Sequence, residues 1–272
     1  MMNLHTHCRY CDGKEEPEAY VQEALRQGFA TLGFSSHAPV PFDNTFAIRD
    51  SVELKNYAAE VRRLQQVYAD RIAIRLGLEI DYIPGVLDHF GPLTAEAGLD
   101  FTIGSVHLVN AEPGSTDLWF IDGPRQETYD EGLQRVFGGD VRRAVTAFWR
   151  QTCEMIERTR PTIVGHFDKV VMHNCGRWFS ADEPWFRDLA MQTVSLIAEL
   201  GLVAEVNTRG LYKGRHNDFY PSQSLLKEMN IRNIPVVVST DAHHPSDLAR
   251  FEGAFEMLKS IGYRNVVTQL WF

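Results

Sequence analysis

Residues 101–107 read Phe101-Thr102-Ile103-Gly104-Ser105-Val106-His107, an apolar run with a β-branched centre that stops on a histidine. Such a run suits a strand buried on both faces. The pattern recurs at residues 30–35, 72–80, 162–165, 202–206 and 235–239, with a very short example at 2–4, so the chain offers seven candidate strands. Residues 17–28, 51–70, 84–98, 140–158, 183–200 and 221–230 carry helical period between them, several opened by Pro, Ser or Asp and closed near Gly or Asn. Alternation of strand and helix predicts an α/β fold with a mainly parallel sheet covered by helices. Residues 110–139 fit neither period, being rich in Gly, Pro and Asp with isolated aromatics, and are expected to form a long loop or lid.

At 272 residues the chain is long enough for one α/β barrel, and with no repeat, low-complexity stretch or Ser/Gly-rich linker a single domain over 1–272 is expected. The excess of 36 acidic over 27 basic residues, a net charge of -9, argues against nucleic acid as a partner. There is neither a basic leader running into an apolar core nor an apolar run of bilayer length, so no membrane association and a cytoplasmic location are expected. Nothing in the pattern specifies an oligomer. Four scattered cysteines need no disulfide framework and are read as reduced thiols.

The residues just beyond each strand carry the chemistry. His5 and His7 come after the first, His37 after the second, His107 after the fourth, His166 after the fifth, Arg209 after the sixth, and Asp241 with His243 after the seventh, while Glu79 lies in the third. In a barrel of parallel strands these ends share one rim, where such folds assemble their sites. A single histidine at a strand end is usually structural. Six of the ten at strand ends is a different matter, with His89 and His173 reading as surface residues and His244 as a group that orients its neighbour. His5 and His7, like Asp241 and His243, are two apart, so each pair can face one ion. Asp12, in a turn after His7, is close enough to join them. These nine side chains exceed the four ligands of one tetrahedral zinc, which points to two or three divalent ions bridged by Glu79 or Asp241. Imidazole and carboxylate without thiolate suit zinc, manganese or iron.

Cys8-Arg9-Tyr10-Cys11 has the spacing of a redox pair or half a zinc knuckle, but no second such pair exists and Asp12-Gly13 reads as a turn, so two ordinary thiols are expected. Arg209, Lys213 and Arg215 gather within seven residues after the sixth strand. A guanidinium at the rim can hold phosphate through paired hydrogen bonds, and lysine adds a point charge. A small phosphorylated substrate is therefore expected, bound by Arg209 and then Lys213.

The motifs His5-x-His7, Gly33-Phe34-Ser35-Ser36-His37-Ala38-Pro39, Gly77-Leu78-Glu79-Ile80-Asp81, Gly104-Ser105-Val106-His107, Gly165-His166-Phe167-Asp168 and Ser239-Thr240-Asp241-Ala242-His243 occur in this order over essentially the whole chain. In them the sequence resembles the polymerase-and-histidinol-phosphatase family, most of all its stand-alone histidinol phosphatases. The resemblance implies a distorted seven-stranded (β/α) TIM-like barrel with a trinuclear metal centre at its C-terminal rim. It assigns His5, His7, Glu79 and Asp241 to one ion, Glu79 with His107 and His166 to a second, and Asp12, His37 and His243 to a third. The segment around Arg209 is similar to the family's phosphate-binding loop, and Arg209, Asp241 and His243 are the expected catalytic side chains. Two departures stand out: Ser36 precedes His37 where these phosphatases often carry Asp, and Asp12 stands where some carry His.

The reaction implied is hydrolysis of L-histidinol phosphate to L-histidinol and phosphate by a metal-activated hydroxide, with Arg209 neutralising phosphoryl charge. The alternative is a phosphoesterase of the same architecture acting on a nucleotide, sugar phosphate or phosphotyrosine. A metal-dependent amidohydrolase leaves the cations near Arg209 unexplained.

Overall fold

The computed structural model describes residues 1–268. Seven short strands, β1 (Met2–Asn3), β2 (Thr31–Phe34), β3 (Ala73–Asp81), β4 (Phe101–Ser105), β7 (Ile163–Val164), β8 (Val203–Asn207) and β9 (Val236–Ser239), pair in that order. Every pairing among them is parallel. The sheet curls on itself and is all but closed by a parallel bridge between Thr6 and Ala242, just beyond the ends of β1 and β9, where the His7 amide donates to the Ala242 carbonyl at 2.8 Å. This is the expected α/β barrel. Its major helices are α1 (Pro17–Arg26), α2 (Ser51–Val67), α5 (Val141–Thr159), α6 (Pro184–Leu200) and α8 (Gln223–Ile231), and short helices α3 (Gly91–Ala97), α7 (Arg209–Tyr212) and α9 (Ala254–Ser260) complete the shell.

Local chemistry explains the helix ends. Asp50 and Asp140 open α2 and α5, accepting from the amides of Glu53 and Arg143. Each removes one orphan donor from a first turn. α1 and α6 start on Pro, whose missing amide costs nothing there. α6 ends on Gly201 at φ +63°, the left-handed residue that closes helices.

Residues 110–139 are not the loop expected. They hold the end of a two-stranded antiparallel ribbon, β5 (Leu108–Asn110) with β6 (Leu118–Phe120), followed by α4 (Gln126–Phe137). Trp119 anchors the excursion: it is fully buried against Tyr129 and Phe137 of α4, and its indole N–H donates to the Tyr129 carbonyl at 2.9 Å. The helix expected over 84–98 is also shorter, because residues 83–87 turn back on themselves and helix begins only at Gly91. α9 lies in a stretch for which no helix is expected from the sequence.

Inside the barrel, Met2, Leu4, Phe101, Ile103, Ile163 and Val237 form a dry floor. The Phe101 ring fills the centre only because the strands beside it carry glycine: a Cβ on Gly77 would lie 2.5 Å from two Phe101 ring atoms and one on Gly33 2.9 Å from one of the same two. Side chains alternate along a strand, so Gly77, Glu79 and Asp81 face the same way and the inward surface passes from glycine to carboxylate within one strand. The floor thus positions the site above it. Gly77→Val is expected to destabilise the protein by ~1–3 kcal/mol through overpacking. Chemical denaturation would show the loss, and Phe101→Leu in the same chain should recover part of it.

Candidate metal centre

Glu79, fully buried on β3, stands at the centre of the rim and its two oxygens divide the histidines. Oε1 lies 2.8 Å from His166 Nε2 and 3.3 Å from His107 Nε2, and it accepts from Ser105 Oγ at 2.7 Å. Oε2 lies 3.0 Å from His5 Nε2, 3.3 Å from His7 Nε2 and 3.3 Å from His37 Nδ1. Asp241 approaches from the opposite side, with Oδ1 3.4 Å from His7 Nε2 and 3.4 Å from His243 Nδ1. Asp12 closes the outer edge, its Oδ2 3.1 Å from His243 Nε2 and its Oδ1 3.8 Å from His7 Nδ1. All nine side chains read from the sequence as ligands therefore converge.

Donor atoms within 4.8 Å of one another fall into overlapping groups: His7, Asp12, His37 and His243; His5, His7 and Asp241; His5, Glu79 and His166; and His37, Asp81 and His107. Several donors are buried without a hydrogen-bond partner, namely His7 Nε2, His37 Nδ1, Asp12 Oδ1 and Asp241 Oδ1. Orphaned buried lone pairs are costly unless a cation completes them. Together with an all-nitrogen-and-oxygen donor set, they fit a divalent-metal site.

The electrostatics agree. Burial pushes the Glu79 carboxyl up, but His5, His107 and His37 outweigh it and hold the group well below the usual range. Asp241 is held down in the same way, against its burial, by Lys169, Arg209 and His5. Burial lowers His37 to about 4 and, helped by His7, His243 to about 3, which leaves both imidazoles neutral as ligation requires. His5 goes the other way: burial opposes its charge, yet Glu205, Glu79 and Asp241 raise it to about 10.

Four residues of the site have no role that the sequence alone assigns. Glu205, buried on β8, takes His5 Nδ1 at 2.6 Å on one oxygen and the His166 amide at 2.9 Å on the other, with Ser239 Oγ also donating to it. Asp81 Oδ1 accepts from both the His107 amide and its Nδ1 at 2.9 Å. Lys169 is buried with its ammonium 2.9 Å from Asp122 and 3.4 Å from Asp241. Asp122, at the end of the apolar run Leu118–Phe120 and Ile121, keeps Oδ1 without a partner. A carboxylate within or closing an apolar run was the available signal for Glu205 and Asp122.

Other expectations fare variously. Arg209 sits at the rim, its Nη1 donating to the Asp241 carbonyl at 2.5 Å, whereas Lys213 pairs with Asp247 at 2.9 Å. The four cysteines are free: Cys8 Sγ contacts Ser36 Oγ at 3.3 Å and Cys11 Sγ lies 3.5 Å from His7 Nδ1, and no cysteine enters a metal-holding group among the described residues. Ser36, at the position where these phosphatases often carry Asp, thus serves the thiol behind the site. His173 is half-buried, its Nε2 donating to the Gly123 carbonyl at 2.8 Å and tying the Asp122 loop to the segment after β7. His244 accepts from the Ser246 amide.

A parallel α/β barrel whose C-terminal rim gathers histidines and carboxylates around a buried glutamate defines a metal-dependent hydrolase architecture. The chain belongs to the PHP domain family, whose model matches residues 3–209. It is 30% identical to a probable histidinol-phosphatase of Deinococcus radiodurans over 97% of this chain and 94% of that one. It is 28% identical to the histidinol-phosphatase of Bacillus subtilis, covering 92% and 96%. Among solved structures, a putative histidinol phosphatase from Listeria monocytogenes superposes with a TM-score of 0.77 at 21% identity, covering 94% and 99%. That of Lactococcus lactis, complexed with zinc, L-histidinol and phosphate, gives 0.65 at 19% identity, covering 97% and 95%.

Glu205→Gln keeps the shape but loses the carboxylate that fixes His5 and His166. We expect divalent-metal affinity to fall by ~10- to 100-fold with unchanged circular dichroism, measured by titration against a competing chelator.

Proposed function

We propose that this protein hydrolyses L-histidinol phosphate to L-histidinol and phosphate, as the names of its full-length relatives indicate for them. The observation that carries the reading is a cavity of about 460 Å³ that puts three chemistries side by side. Its floor is the metal-holding cluster with Glu79, His107 and Asp241; one wall bears Lys14, Arg209 and Lys213; the other bears Phe46, Phe120 and Asp122.

Residues His5, His7, Asp12, His37, Glu79, His107, His166, Asp241 and His243 would hold two or three divalent ions, with zinc, manganese and iron all compatible with the donors. Bound there, such ions supply Lewis acidity and lower the pKa of water. The chain's own contribution is binding and orientation. Arg209 is nearly buried, and although burial opposes its charge, Asp241 and Tyr212 keep it a cation at every accessible pH. A guanidinium fixed at the rim can donate to two phosphoryl oxygens and counter the charge that develops on them. Across the cavity, Phe46 and Phe120 pack with ring centroids 5.6 Å apart and offer a face for an aromatic ring. Asp122 remains ionised despite its burial because Lys169 and His107 stand beside it, and its free Oδ1 suits an ammonium or a protonated imidazole. A phosphate ester with a cationic heteroaromatic body matches both walls, whereas sugar phosphates match only one.

No helix among the described residues is long and apolar enough to cross a membrane, which is compatible with a cytoplasmic enzyme. One sheet that runs from β1 at Met2–Asn3 to β9 at Val236–Ser239 supports its action as a single unit.

Phosphate release by metal-loaded protein should favour L-histidinol phosphate over a nucleotide, a sugar phosphate and an aryl phosphate by at least about 100-fold in kcat/KM. Comparable slow turnover of all four would sink the assignment while keeping the phosphoesterase. Arg209→Ala should lower kcat/KM on every ester by ~100-fold or more, and Asp122→Asn should raise KM for L-histidinol phosphate alone.

A further inference from the structure

Beside the catalytic cavity lies a larger one of about 810 Å³, walled by the segments after β7 and β8. None of the nine metal-holding side chains lines it. Asp168, 2% exposed and placed after β7, is among its lining residues. Its Oδ2 accepts from the Ser222 amide at 2.9 Å; its Oδ1 is buried with no partner. Burial pushes this carboxyl up to about 8, so its unpartnered oxygen is costly to leave ionised, and a ligand ammonium is the group that would complete it.

Two guanidiniums line the same cavity. Arg187, in the first turn of α6, and Arg215 are exposed, and neither side chain makes a hydrogen bond or ion pair among the described residues. This contrasts with Arg177, Arg209 and Arg232, each engaged with a neighbour. Phe179, Phe186, Met191 and Leu225 give the same cavity an apolar lining. The volume falls within the range of small-molecule sites, which combine such walls with a few convergent polar groups.

We propose that this cavity is a second small-molecule site and that it takes an ampholyte: an ammonium for Asp168 Oδ1, a carboxylate for Arg187 and Arg215, and an apolar body against Phe179, Phe186, Met191 and Leu225. The pairing selects for both charges on one molecule, because a cation alone leaves the guanidiniums unused and an anion alone leaves Asp168 unpaired. Arg215 also lines the catalytic cavity, so the two sites share a wall. The proposal stands independently of which ester the catalytic site hydrolyses.

Calorimetric titration of the metal-loaded protein tests it with three probes of one body. L-phenylalanine carries both charges, phenethylamine only the cation and 3-phenylpropionate only the anion. One equivalent of L-phenylalanine should bind, with each singly charged analogue at least about tenfold weaker. Asp168→Asn and Arg187→Ala should each weaken L-phenylalanine by about tenfold or more, Arg187→Ala leaving phosphate release unchanged. Because Asp168 also holds Ser222, Met191→Trp provides a separate check: it fills the cavity from α6 without touching Asp168 and should abolish binding. The proposal fails if L-phenylalanine gives no binding up to about 10 mM, or if its binding survives both Arg187→Ala and Met191→Trp.

Discussion

A carboxylate enclosed in a protein interior must be compensated, and the compensation of Glu79 organises this molecule. Five imidazoles, carried beyond the ends of four different strands, lie within 3.3 Å of its two oxygens. The nearest strand ends supply them only if the seven strands run parallel and the barrel closes around β3. His5 at one end of the sheet and Asp241 at the other belong to one cluster because the Thr6–Ala242 bridge brings those ends together. Closure of the sheet and assembly of the site are the same event. An ion in the cluster would add its binding free energy to folding, so metal and barrel stabilise each other.

The second constraint is vertical. A seven-stranded barrel is narrow, and its interior must be filled by side chains. Phe101 fills the lower part against Gly33 and Gly77, and directly above them the inward residues become Glu79, Ser105, Glu205 and Ser239. The polar layer is held by hydrogen bonds within itself before it reaches any ligand: Ser105 donates to Glu79, Ser239 and Asn207 to Glu205. Such a layer fixes imidazole orientation in advance, which is the condition for ions to be held at defined separation.

This layering explains what the sequence disclosed. Strand-helix alternation and polar residues after apolar runs come from period and connectivity, both written locally, so the barrel and the nine rim side chains were legible. The excursion after β5 was not, because α4 buries Gly132 against Trp119, where a Cβ would lie 2.9 Å from the indole. Close helix-to-ring packing thus put a helix breaker inside the helix and masked its period. Glu205 and Asp81, inside strands as Glu79 is, escaped a role because what they do is hold His5, His166 and His107 in place, a contact with no local signature. Lys169 and Asp122 escaped because an ion pair between residues 47 apart has no local signature. Sequence pattern discloses groups that could touch ions and hides those that touch the ligands.

Asp241 joins these strands of argument. It adopts φ +51°, a left-handed conformation that costs a non-glycine residue about 1–2 kcal/mol. The turn aims its carboxylate at His5 and His7 while presenting its carbonyl outward, where Arg209 Nη1 donates at 2.5 Å and Tyr212 Oη at 3.3 Å. Tyr212 also donates to the Thr240 carbonyl at 2.8 Å. Arg209 therefore has two engagements, one toward the backbone of the strained turn and one available to a phosphoryl group. The strain is held by the same loop that offers the cation, so the Asp241 carboxylate and the Arg209 guanidinium, proposed to meet ion and phosphate, are set at a fixed separation by one short helix, α7. Lysine at 209 would keep the charge yet lose the geometry, because one ammonium cannot present a rigid fork to carbonyl and phosphate together. The choice of arginine there reflects the backbone strain as much as the substrate.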